Sequence, residues 1–81
     1  MSPEHQEKLM VEVFKTNVNN RDQASVLIDH IHRNFTDYQA SFDLDDCDRI
    51  LRVKSASGIV LSYRLISLLR DFGYKAEVLQ E

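Results

Sequence analysis

Ala24, Leu27, Ile28, Ile31 and Phe35 fall at i, i+3, i+4, i+7 and i+11, and they make the clearest pattern in the chain. That spacing draws one apolar stripe along a helix of period 3.6, predicted from about Arg21 to Asn34. Asn20 stands at its N-cap and Gln23 three residues on. Together they resemble a capping box, in which each side chain satisfies a backbone N–H of the other. Asp22 in the first turn suits the positive end of the helix dipole. Ahead of the helix, Leu9 to Thr16 reads as a strand, with Val11, Val13 and Phe14 as its β-formers. It is apolar on both faces, Val11 and Val13 on one and Met10 and Phe14 on the other, so the pattern leaves its buried face open.

Beyond the helix, Tyr38, Ala40, Phe42 and Leu44 alternate with Gln39, Ser41 and Asp43, as in a half-buried strand. Asp45-Asp46-Cys47-Asp48 forms a polar turn. Arg49 to Lys54 is the return strand, with Leu51 and Val53 on one face and Ile50 on the other. Ser55-Ala56-Ser57-Gly58 is a loop. A second helix is predicted from about Ile59 to Phe72, with Leu61, Leu65, Leu68, Leu69 and Phe72 inward. Gly73 follows at C′, where a left-handed residue ends a helix without Cβ strain. Lys75 to Leu79 is a last short strand. The order β-α-β-β-α-β predicts an α+β ferredoxin-like plait. Right-handed crossovers give an antiparallel sheet in the order 4-1-3-2 with both helices on one face. The turn before the first helix, the Asp-rich hairpin tip and the Gly73-Tyr74 turn then share one end. Leu27, Ile28, Ile31, Phe42, Leu51, Val53, Leu65 and Leu69 are the expected core.

Composition narrows the field. The 81 residues suffice for one small domain, over 9–81, with a polar tail at 1–8. A hydrophobic fraction of 43% is that of a globular chain. The net charge of −3 argues against an extended nucleic-acid footprint. No apolar run approaches the ~18–20 residues of a membrane span, and residues 1–8 lack the apolar core of a signal peptide. A single cysteine, Cys47, cannot form an internal disulfide, which suits a reducing cytoplasm.

Over roughly residues 10 to 80 the chain resembles heavy-metal-associated domains, the copper-chaperone-like family. Lys15-Thr16-Asn17-Val18-Asn19 looks like that family's lead-in from the first strand, and Val18 matches the apolar position two before the first metal-binding cysteine. Gly73-Tyr74-Lys75-Ala76 is similar to the family's ending. The resemblance implies a C-x-x-C pair at the head of the first helix, and the two cysteine positions fall on Asn20 and Gln23. Cu(I) and Zn(II) take soft thiolates or imidazoles, and neutral amide oxygens do not replace two thiolates for Cu(I). The expected site is therefore a helix cap with no metal and no cofactor.

Other residues are weaker candidates. Cys47 alone is a poor soft-metal ligand unless a second chain supplies another; a copper or zinc carrier through Cys47, shared across a homodimer, is the alternative reading. Asp43, Asp45, Asp46 and Asp48 lack the Gly and Glu of a calcium loop and read as a solvated acidic turn. His30 and His32, two apart, do not face one another and lie off the apolar stripe, so both are expected in solvent; His5 is in the tail. Ser25, Ser41, Ser55, Ser57, Ser62 and Ser67 have no evident neighbouring base, and an enzyme is not expected. Val11, Val13 and Ile50 are expected together on the open sheet face, as a small apolar patch for a weak homodimer or an unknown protein partner. The functional expectation is a non-catalytic protein-interaction or regulatory module.

Overall fold

A computed structural model describes residues 10–45 and 47–79, with the backbone alone at Met10. The chain runs β1 (Met10–Thr16), α1 (Arg21–Asn34), β2 (Tyr38–Asp43), β3 (Ile50–Ser55), α2 (Ser62–Asp71) and β4 (Ala76–Val78). The strands form one antiparallel four-stranded sheet in the order β2-β3-β1-β4, so the fold is α+β with β1 and β3 central. The tail at 1–8 and strand residue Leu9 lie outside the described residues.

Register settles which face of β1 is buried. Phe14 pairs with Leu51 on one side and Val78 on the other, and Phe42 pairs with Leu51 across β2 and β3. These side chains share a face, because cross-strand partners point the same way. Both helices pack on it: Phe14, Leu51 and Val53 join Leu27, Ile31, Leu65 and Leu69 in one core. Phe14 and Val18 are fully buried, and neither was among the expected core residues. Ile28 and Phe42, both expected in the core, are only partly buried and pack at its margin. Ile28 lies off the centre of the α1 stripe, and Phe42 belongs to an edge strand.

Several boundaries differ from the pattern-based reading. Helix α2 starts at Ser62, not Ile59. The buried Ser55 hydroxyl accepts the N–H groups of Ser57 at 3.2 Å and Ile59 at 3.3 Å, and Gly58 sits at φ +89. That loop holds residues 55–59 out of helical geometry, so apolar residues that suit a helix template enter it only later. The start of α2 is tied to the sheet instead: the Leu61 N–H donates to the Tyr38 hydroxyl at 2.7 Å. Strand β3 begins at Ile50 because Arg49 has φ +49, outside extended geometry. The end of α2 is as expected. Gly73 has φ +90, its N–H donates to the Arg70 carbonyl, and the Tyr74 N–H donates to the Leu69 carbonyl. That pair of bonds is a Schellman motif, with glycine in the left-handed position.

Candidate functional site

Side chains rather than glycines organise the strand-to-helix turn Thr16–Gln23. Thr16 is 8% exposed. Its hydroxyl donates to the Arg49 carbonyl oxygen at 2.7 Å and accepts the Val18 N–H at 3.2 Å. The Thr16 N–H donates to the Asp48 carbonyl oxygen at 3.2 Å. One residue thus holds two carbonyls of the β2–β3 hairpin, and the positive φ at Arg49 is the bend that presents both. On the other side, the Asn17 N–H donates to the Lys75 carbonyl at 3.3 Å, and the Lys75 N–H donates to Asn17 Oδ1 at 2.8 Å. Asn17 therefore uses its side chain where an ordinary strand residue would use its own carbonyl. The three turns meet at one end of the domain, as the connectivity predicts.

Asn20 then starts the helix. It is extended, with φ −126 and ψ 128, and its Oδ1 accepts the N–H of Asp22 at 2.8 Å and of Gln23 at 3.2 Å. Two of the four orphan donors at the helix start are satisfied by one side-chain oxygen. The reciprocal half of the capping box is absent: among the described residues the Gln23 side chain makes no bond to the Asn20 N–H. Gln23 is exposed. Val18, just before the cap, is fully buried and fastens the turn to the core.

Among the described residues no group of three or more His, Cys, Asp or Glu side chains converges. Cys47 is exposed in the hairpin turn. Asp43 ion-pairs with Arg52 at 3.9 Å, with both side chains about half exposed, so the pair is worth little. Asp46 lies outside the described residues. The open face of the sheet carries Val11, exposed, and Val13, half-buried, with Lys54 and Arg52 directly opposite them. Ile50 shares that face opposite Lys15 but is only 4% exposed, so the accessible apolar area there is mainly that of the valines.

Both helix histidines are used, contrary to the expectation that they are merely solvated. His32 Nε2 accepts the Ala40 N–H of edge strand β2 at 3.1 Å. The His30 ring lies 4.7 Å from the Phe72 ring, tilted by 53°. His30 and Phe72 also line an open groove of about 520 Å³ between the helices, with Phe35, Tyr63 and Leu68. The Ser55 hydroxyl is buried and hydrogen-bonded to that of Ser57 at 2.9 Å. Sequence reasoning did not single out Thr16, Asn17, Tyr38 or Ser55 as structural polar groups. The only signal available was a polar residue at the end of a strand, and nothing in spacing reveals a partner 58 residues away. Comparison with protein-family models, curated proteins and solved structures finds no match to this chain.

Proposed function

We propose that this chain is a ferredoxin-like plait related to heavy-metal-associated domains, that its metal site has become a helix cap, and that it acts as a non-catalytic protein-interaction or regulatory module. The observation that carries this reading is the cap itself. Asn20 Oδ1 is occupied by two backbone N–H groups at the position where the resemblance places the first thiolate. An oxygen so engaged is a hard, neutral donor facing inward to the helix, the opposite of what Cu(I) takes. The fold is consistent with the relationship, since β2-β3-β1-β4 read from its other edge is the 4-1-3-2 order. Val18 is buried ahead of the cap and Gly73 turns the chain into β4, which supports the resemblance over its lead-in and ending.

With Asn20 and Gln23 in place of a thiolate pair, this reading puts function on surfaces. The partner is a protein, met through exposed apolar side chains such as Val11 and its half-buried neighbour Val13. An acidic net charge of −3 disfavours nucleic acid, and no helix among the described residues is long and apolar enough to cross a membrane. A cytoplasmic setting fits the single exposed cysteine. Titration of the wild-type protein with Cu(I) against a strong chelator tests the reading. The expected result is no competition, unchanged in Cys47→Ser. Stoichiometric binding that Cys47→Ser abolishes would replace this reading with a soft-metal carrier.

A further inference from the structure

The two edges of the sheet differ in what meets their outward backbone groups. On β2 the Tyr38 N–H donates to the Phe35 carbonyl at 3.1 Å, and the Ala40 N–H to His32 Nε2 at 3.1 Å. Helix α1 and its exit turn thus cover the first half of that edge, at Tyr38 and Ala40. On β4 the bonds from Asn17 N–H to Lys75 and from Leu79 N–H to Val13 fix the register. Bonded residues alternate along an antiparallel ladder, so Lys75, Glu77 and Leu79 turn their backbone groups to β1. Ala76 and Val78 turn theirs outward, and among the described residues no turn, cap or side-chain bond reaches them. An open edge of this kind is a template for another strand.

The side chains along this edge are complementary to themselves. Lys75 and Glu77 lie on one face with Ala76 between them in sequence, and Tyr74 and Val78 lie on the other. Neither Lys75 nor Glu77 is in an ion pair among the described residues. A second copy running antiparallel has three central registers to choose from. Pairing about Glu77 sets two carboxylates directly opposite each other, which destabilises a sheet. Pairing about Val78 sets each Glu77 against the other copy's Leu79. Pairing about Ala76 sets each Lys75 against the other copy's Glu77, and each Tyr74 against the other copy's Val78. In that register the two Ala76 residues exchange N–H···O bonds, and each Val78 N–H meets the carbonyl of the other copy's Tyr74. The Tyr74 N–H already donates to Leu69, so each Val78 carbonyl keeps water as its partner in that register. Glu77 then lies between Lys15, its partner on β1, and the second copy's Lys75. Above the edge, a groove of about 490 Å³ between α2 and β4, lined by Ile66, Arg70, Tyr74 and Ala76, leaves room for the incoming Tyr74 and Val78.

We infer that the chain self-associates through β4, antiparallel about Ala76, into one sheet continuous across two copies. This surface is distinct from the valine face and does not depend on the lost-metal reading. The contact is isologous and short, so the dimer is weak and forms at high concentration. Amide exchange on the labelled protein, read alongside sedimentation, tests it. The average mass rises with concentration, and exchange at Ala76 and Val78 slows in step while Tyr38 and Ala40 do not change. Lys75→Glu or Glu77→Lys alone sets like charges opposite each other and weakens the dimer roughly tenfold. The two substitutions together restore it. A monomer at every concentration, a dimer whose Ala76 and Val78 amides exchange at the monomer rate, or single charge reversals without effect would each overturn the inference.

Discussion

The hydroxyl of Thr16 donates to the carbonyl oxygen of Arg49 at 2.7 Å across 33 residues, and this bond fixes the hairpin to the turn that opens α1. The same oxygen accepts the Val18 N–H, so one small side chain serves two elements. Valine has the same shape and neither function. Thr16→Val therefore removes the donor to the part-buried Arg49 carbonyl and the acceptor of the buried Val18 N–H. The expected loss is about 1–3 kcal/mol in chemical denaturation, the usual cost of orphaned buried polar groups. A variant as stable as wild type would mean that water replaces both bonds.

The cap predicts an asymmetry between its two residues. Asn20 accepts two N–H groups, so Asn20→Ala is expected to cost about 1 kcal/mol. Gln23 gives nothing back to Asn20, so Gln23→Ala is expected to change stability by less than about 0.5 kcal/mol, as at an ordinary surface site. Equal losses at the two positions would show that a full capping box forms in solution.

Tyr38 joins sheet to helix through its hydroxyl, which accepts the Leu61 N–H at 2.7 Å, while its ring stacks on Phe35 at 4.7 Å. Tyr38→Phe keeps the ring and removes the acceptor. A loss of about 0.5–1.5 kcal/mol is expected, with faster amide exchange at Leu61 and in the first turn of α2. Unchanged exchange there would separate the hydroxyl from the placement of the helix.

Leu69 is fully buried between α2 and the sheet, and Phe42 is only partly buried at the edge. Leu69→Ala is expected to cost about 2–5 kcal/mol by cavity formation, a large share of a small domain's stability. Thermal melts of Leu69→Ala and Phe42→Leu test this ordering, with the larger drop at Leu69.

How far the sequence foretold these features varies by element. The α1 helix, the Asn20 half of the capping box and the Gly73 stop are local signals and are present, whereas the reciprocal Gln23 bond is not among the described contacts. Phe14 was ambiguous because β1 is apolar on both faces, and only the pairing of Phe14 with Leu51 and Val78 resolves it. Ile59, Val60 and Leu61 fit a helical template, yet the buried Ser55 hydroxyl captures the Ile59 N–H and delays the helix. His32 lay off the apolar stripe, and its use by β2 depends on a neighbouring edge strand that no helical pattern encodes. The clasp of Thr16, Asn17 and Lys75 is long-range hydrogen bonding, which leaves no period in the chain.

We propose that the turn at Thr16–Gln23 keeps the geometry of a soft-metal site and that Asn20 has made it a helix cap. The most direct test is Cu(I) binding by the double variant Asn20→Cys with Gln23→Cys, measured by competition with a strong chelator, the fold being checked by amide spectra. Two thiols at i and i+3 of a helix start, where the dipole favours the thiolate, form a soft pair on one turn. The variant is expected to take up one Cu(I) per chain, and the wild type not to compete. A folded variant that fails to bind would contradict the proposal, because the turn would then lack the geometry of a metal site.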